Sequence, residues 1–144
     1  MIGYLDTSAF VPLLVDEPTS PACRRFWDDA DVIVSSRLLY VEAVAAVAQA
    51  QRMGRLIEAD YLECRGRLDE MWSQMDVIEV DEQAVLRAAD MAHRCGLRGY
   101  DAVHCAAAHD LNDDDVVAAS GDQRLLAAWG DLGVATFDIG QRLH

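Results

Sequence analysis

Met1-Ile2-Gly3-Tyr4-Leu5-Asp6-Thr7-Ser8-Ala9-Phe10 is the stretch whose reading decides the fold. Ile2, Tyr4 and Leu5 form an apolar run of strand length, Asp6 stands at its end, and the Thr7 and Ser8 hydroxyls precede a new apolar run. In open α/β sheets, functional groups gather in the crevice outside the carboxyl ends of the strands. A strand that hands an aspartate to a loop therefore predicts both a sheet and a site at its C-terminal edge.

Outward from this stretch, strands and helices alternate. A helix opens near Ser8 with Pro12 in or near its first turn, where the missing N–H does little harm. The breaker cluster Asp16-Glu17-Pro18-Thr19-Ser20-Pro21 is followed by a short helix over 21–28 and a second strand over 32–34. A helix over 37–53 comes next, with Ser35 or Ser36 as its cap and Gly54 as its stop. An amphipathic helix spans 57–75, with Tyr61, Leu62, Leu68, Met71 and Trp72 as candidate core positions. The third strand covers 76–80, and a helix over 82–95 ends before Gly96. Another helix spans 101–111, and a fourth strand covers 116–119. A short helix then runs from Asp122 to Trp129, and the last strand covers 134–137. Such alternation predicts a single α/β domain over 1–144, a parallel sheet covered by helices on both faces.

Composition narrows the function. The chain is 52% apolar and 26% charged over 144 residues, ordinary for a globular domain. No uncharged run approaches the ~18 residues that span a bilayer. No basic segment precedes the first apolar run, so a cytoplasmic location is the expectation. Cys23, Cys64, Cys95 and Cys105 show no C-x-x-C or zinc-like spacing and are expected to be structural thiols. The net charge is −13, from 25 acidic and 12 basic residues, and every basic residue is arginine. Without lysine there is no P-loop and no lysine nucleophile. A nucleic-acid substrate would have to be held against long-range repulsion by local arginines, which grip phosphate by bidentate contact, and by bound cations. Arg37, Arg98 and Arg124 are the candidates, each near an acidic candidate in sequence, and ordinary ion pairing is the competing explanation.

Glu42 is the most informative residue. It is the only charge in Leu38-Leu39-Tyr40-Val41-Glu42-Ala43-Val44-Ala45-Ala46-Val47-Ala48, a helix apolar almost all round. Its helical neighbours Leu38, Leu39, Ala45 and Ala46 cannot pair with it, and an unpaired buried carboxylate costs several kcal/mol or takes up a proton. The ordinary explanation is a side chain that reaches the surface or a distant arginine. Asp6, Asp101 and Asp122 are each explicable as helix caps, and Asp113–Asp115 lie close to Asp122 in sequence. Jointly they are harder to dismiss: two stand just beyond strand ends, and the other two acids ride helices that flank those ends. Four converging carboxylates call for a cation, and an all-oxygen donor set favours Mg²⁺ or Mn²⁺ over zinc. Such an ion activates water for phosphodiester hydrolysis and stabilises the leaving oxygen. His104, three residues after Asp101, is either an outer partner of this site or a hydrogen-bonded core histidine. Ser8 and Ser120 are candidates to position waters or phosphate oxygens, or are ordinary turn hydroxyls.

Four blocks in order carry a family resemblance. They are D-T-S-A-F-V-P-L-L-V-D-E-P with Asp6 and Ser8, S-S-R-L-L-Y-V-E with Glu42, L-R-G-Y-D-A-V-H-C-A-A-A with Asp101 and His104, and S-G-D-Q-R-L with Ser120 and Asp122. Over essentially its full length the chain resembles the PIN-domain ribonucleases, specifically the VapC-like toxins of bacterial toxin–antitoxin pairs. The resemblance implies a three-layer α/β/α fold whose five-stranded parallel sheet has the order 3-2-1-4-5. It implies RNA cleavage with Mg²⁺ or Mn²⁺ gathered by Asp6, Glu42, Asp101 and Asp122. It also implies a homodimer and a small antitoxin whose tail covers the site and whose other part binds operator DNA. A phosphotransfer enzyme is the competing class, disfavoured by the absence of lysine, and a catalytically silent PIN-like binding module is another.

Overall fold

A computed structural model describes residues 1–141; residues 142–144 of the expected domain lie outside them. Strand β1 (Ile2–Leu5) is the middle of a five-stranded, all-parallel sheet. It pairs with β2 (Val32–Ser36) on one side and β4 (Val116–Ser120) on the other. Strands β3 (Asp76–Ile78) and β5 (Ala135–Asp138) form the edges, giving the expected order β3-β2-β1-β4-β5.

Alternation along the strands divides the core into two layers. Leu5 and Ile33 face one way, onto Phe10, Phe26, Leu39, Val47 and Leu68. Tyr4 and Val34 face the other way, onto Met91, Leu97, Cys105, Leu125 and Trp129. Helices α1 (Thr7–Phe10), α2 (Ser20–Asp29), α3 (Leu39–Arg52) and α4 (Glu58–Trp72) supply the first layer. Helices α5 (Glu82–Cys95), α6 (Gly99–Asp110) and α7 (Gln123–Asp131) supply the second. Gly3 makes the first layer possible: a Cβ there would stand 2.9 Å from the Phe26 ring.

Several local expectations are corrected. Strand β3 stops at Ile78 rather than 80, and its last carbonyl accepts the Arg37 N–H beyond the end of β2. Helix α3 begins at Leu39; Ser36 accepts the Leu38 N–H in the turn before it and is not the cap residue. Gly54 does end that helix, with φ +78. Leu62 is 61% exposed, whereas Leu68 is fully buried. The buried stripe of α4 passes through Tyr61, Cys64, Leu68, Met71 and Trp72, and Leu62 stands about 100° round the helix from Tyr61. Helix α6 starts at Gly99, so Asp101 sits inside its first turn and is not the residue that caps it.

All four thiols are free, and Cys23, Cys64 and Cys105 are buried. Burial pushes the Cys23 and Cys105 thiols up to about 12, which leaves them inert. Among the described residues no helix is long and apolar enough to cross a membrane.

Candidate active site

Four separate elements bring the four predicted acids to one cavity. Asp6 follows β1, Glu42 lies on α3, Asp101 on α6, and Asp122 follows β4 at the start of α7. A cleft of about 420 Å³ is lined by Asp6, Glu42, Asp101 and Asp122, with Ser8 and His104 on its wall. It opens at the carboxyl ends of the central strands, where a parallel sheet places its sites.

Asp6 is 3% exposed, and its carboxylate accepts three hydrogen bonds. Oδ1 accepts hydrogen bonds from Ser8 Oγ at 2.7 Å and Ala9 N at 3.0 Å, and Oδ2 accepts one from Ser120 Oγ at 2.6 Å. The two hydroxyls are themselves fixed from behind. Ser8 accepts the Gly121 N–H at 2.8 Å and Ser120 the Asp122 N–H at 2.9 Å. Asp6 thus caps α1, as its ordinary explanation held, and also laces the ends of β1 and β4 together. Burial raises its pKa, opposed by the nearby imidazole of His104 and by the serine and Ala9 hydrogen bonds.

Asp122 is likewise a cap, accepting the Arg124 and Leu125 N–H groups at 2.9 and 3.3 Å through Oδ1 alone. Its Oδ2 has no protein partner among the described residues. Asp101 has no hydrogen-bond partner among them. Its pKa is raised by burial first, then by the negative charges of Asp122 and Glu42. That mutual repulsion is the electrostatic signature of acids gathered at one place.

Glu42 is neither surface-directed nor paired with an arginine. Its side chain is 18% exposed, and Oε1 accepts a hydrogen bond from Nε2 of His104 at 2.8 Å. His104 is 1% exposed, and its Nδ1 lies 2.8 Å from the hydroxyl of Tyr4. His104 therefore satisfies both readings made of it: it is a hydrogen-bonded core histidine and a direct partner of a site acid.

The PIN-domain family model matches residues 3–128. The chain belongs to the PIN-domain family. Two curated PIN-family relatives, Ribonuclease VapC45 and Ribonuclease VapC49 of Mycobacterium tuberculosis strains, are each 37% identical over 122 residues, 85% of this chain and 85% of theirs. Among solved structures, FitAcB from Neisseria gonorrhoeae superposes with a TM-score of 0.73 at 19% identity, covering 99% of this chain and 100% of that one. A toxin–antitoxin complex from Klebsiella pneumoniae gives 0.66 at 14%, covering 94% and 98%. At such identities these two structures speak for the fold.

As a PIN domain, the chain presents a cleft whose acids are hard oxygen donors, with the His104 imidazole engaged by Glu42. Among the described residues no group of three or more His, Cys, Asp or Glu side chains stands close enough together to hold a metal ion by itself. Mg²⁺ needs none, because it keeps several waters and takes one or two carboxylates directly. Asp101, Asp122 Oδ2 and Glu42 Oε2 are the oxygens without a protein partner here, so the donor chemistry fits such an ion. Asp6 accepts three hydrogen bonds, two at Oδ1 and one at Oδ2, and so keeps a lone pair at Oδ2.

The three arginine candidates divide. Arg98 and Arg124 line a hollow of about 370 Å³ that shares Asp101 and Asp122 with the cleft, and neither is in an ion pair among the described residues. Arg37 instead forms a two-point ion pair with Glu79, and its guanidinium lies 5.8 Å from the centre of the Trp72 ring. It lines none of these hollows.

The sequence reading did not place Glu17, Thr7 or Tyr4 in the site. Glu17 and Thr7 line the cleft, and Tyr4 holds His104 from beneath. Glu17 was visible in the breaker cluster and, with Pro18, at the end of the first resemblance block, and Tyr4 only as an apolar strand residue. A tyrosine on a strand buried on both faces was the available signal, because a buried phenol needs a partner.

Proposed function

We propose that this PIN domain is a divalent-cation-dependent endoribonuclease, the toxin of a toxin–antitoxin pair. The observation that carries the reading is the meeting of Asp6, Glu42, Asp101 and Asp122 in one cleft at the carboxyl ends of β1 and β4. The ribonuclease names of the relatives and the covered length support it. Bound Mg²⁺ or Mn²⁺ would supply a more acidic water and stabilise the departing oxygen. Asp101, Asp122 and Glu42 would hold the ion, one or two of them directly and the rest through its waters. Asp6, tied to Ser8 and Ser120, would fix the cleft floor and add negative potential that draws the cation in.

RNA approaches a protein of net charge −13, so its phosphates need local positive charge. Arg98 and Arg124 supply it beside Asp101 and Asp122, and a strand lying across both hollows would meet acids and arginines in turn. Arg37, engaged with Glu79, contributes least.

The antitoxin reading draws on a third feature. An apolar groove of about 710 Å³ runs along Leu38, Val80, Val85, Ala88 and Tyr100 and reaches Glu42 and Asp101. A partner segment with an apolar face and a basic residue at its end would fill the groove and neutralise the acids together. The exposed apolar residues Val41, Met53, Ile57 and Leu62 on and beside α3 and α4 suit a homodimer contact.

The test is cleavage of RNA by the purified chain. Mn²⁺ or Mg²⁺ should be required, and Asp6→Asn or Asp101→Asn should abolish cleavage while the circular dichroism spectrum is kept. Unimpaired cleavage in excess chelator would refute the reading.

A further inference from the structure

We infer that Tyr4 and His104 are positioning residues that aim the Glu42 carboxylate into the cleft through a buried chain of two hydrogen bonds. The inference rests on the cation-dependent reading of the cleft given above.

Glu42 stands alone on α3. Its neighbours one turn away, Leu38, Leu39, Ala45 and Ala46, have no side-chain donor. Asp6 and Asp122 each have donors close in sequence, Ser8 and Ala9 for Asp6 and the Arg124 and Leu125 N–H groups for Asp122, with Ser120 adding a distant one to Asp6. The donor to Glu42 comes from 62 residues away, Nε2 of His104 at 2.8 Å. Thr7 Oγ1 lies at 3.5 Å from the same nitrogen, too far to compete.

The direction of the bond to Glu42 follows from its acceptor. An ionised carboxylate only accepts, so Nε2 carries a proton and donates it to Glu42, and Nδ1 meets the Tyr4 hydroxyl on the other side of the ring. Tyr4 is 0% exposed, and its hydroxyl lies 2.8 Å from Nδ1. The ring is fixed in turn by edge contacts with His104 and Trp129, at centroid distances of 5.9 and 6.0 Å.

The arrangement ties the third acid to the first two. Tyr4 lies two residues before Asp6 on β1, and His104 lies one helical turn after Asp101 on α6. The segments that carry Asp6 and Asp101 therefore also orient Glu42. With Oε1 occupied by His104, Oε2 is left for the cleft.

The experiment uses the full chain with Mn²⁺ alone as probe. Binding is followed without RNA by calorimetric titration and by the rise in melting temperature, and cleavage is measured across Mn²⁺ concentration. His104→Leu should weaken Mn²⁺ binding by about tenfold or more, the size expected when the partner holding a metal ligand is removed. His104→Gln, which keeps an N–H within reach of Glu42, should recover part of that loss, and Tyr4→Phe should show a smaller weakening. In each variant the Mn²⁺ needed for half-maximal cleavage should rise by more than the saturated rate falls. Tyr4→Phe keeps the ring and decides the matter if His104→Leu does not fold. Variants that melt lower in chelator but bind Mn²⁺ as tightly as the unmodified chain would overturn the inference and leave only a packing role. Failure of the underlying reading would look different: the unmodified chain itself would show no Mn²⁺ binding and would cleave, or fail to cleave, regardless of the metal.

Discussion

Replacing Asp101 by Asn should stabilise the chain in chelator while abolishing cleavage, both effects arising from the same crowded charge. Asp101 accepts no protein hydrogen bond among the described residues, so its removal orphans no donor. What disappears is burial of a charge and repulsion from Asp122 and Glu42. The side chain is half-buried, so solvent screens part of that repulsion, and a gain of about 0.5–1 kcal/mol is the realistic size. For a chain of 144 residues this is a rise of about 1–4 °C in melting temperature. The pH dependence has a definite sign. Asp101 keeps its proton to higher pH in the native state than in the unfolded chain, so stability falls as pH climbs from the ordinary 3.8 through the raised value. The advantage of Asn should therefore be full at neutral pH and should shrink toward pH 3.8. Metal reverses the ranking. At a hundred times its Kd a cation stabilises the native state by about 2.7 kcal/mol, and the variant, short of one ligand, should gain less than half of that. Scanning calorimetry in chelator and in excess Mg²⁺ measures both. An Asn variant that melts lower than the unmodified chain in chelator, yet responds equally to Mg²⁺, would refute the placement of Asp101 at a shared cation site.

Other outcomes follow from the same geometry. Arg98→Gln and Arg124→Gln should each weaken RNA binding and lower the slope of log affinity against log salt by about 1, as the loss of a phosphate contact does. Arg37→Gln should leave that slope unchanged, because its guanidinium is engaged by Glu79; filter binding at several salt concentrations distinguishes the three. Leu68→Ala should cost about 2–5 kcal/mol in a urea titration, whereas Leu62→Ala, on the exposed side of the same helix, should stay within about 0.5 kcal/mol. Gly121→Ala puts a Cβ 3.2 Å from Ile139 and 3.5 Å from Ser8 Oγ. That crowding should slow cleavage several-fold with little change in melting temperature; an unchanged rate would show that the Ser8–Gly121 contact does not tune the site.

The architecture was legible because each element carries its own signal. The apolar run at Ile2–Leu5 and the left-handed glycines after α3 and α5 are local features that act over one or two turns. The acids were legible for the same reason. Asp6, Asp101 and Asp122 abut the elements that position them, and Glu42 is conspicuous as a charge in an apolar helix. Where the reading went astray, the cause was a contact between distant segments. Leu62 looks like a core leucine until α4 is seated with its Tyr61–Leu68 stripe inward. For Arg37, named both as a phosphate contact and as an ordinary ion-pair partner, the pair became visible only when the end of β3 brought Glu79 alongside. Strand β3 is shorter than its apolar run because, past Ile78, there is no more of β2 to pair with.

The sequence by itself determined the order of strands and helices, the parallel sheet and the four acids that serve it, since periodicity, turn chemistry and capping act between near neighbours. Only the tertiary structure decided what each acid rests on. Asp6 binds Ser120 across 114 residues, and Glu42 is held by His104 across 62 and, through it, by Tyr4. A hydrogen bond acts only within about 3.5 Å, and no local pattern records which distant side chain the packing of β1, α3, α6 and β4 will bring within that range.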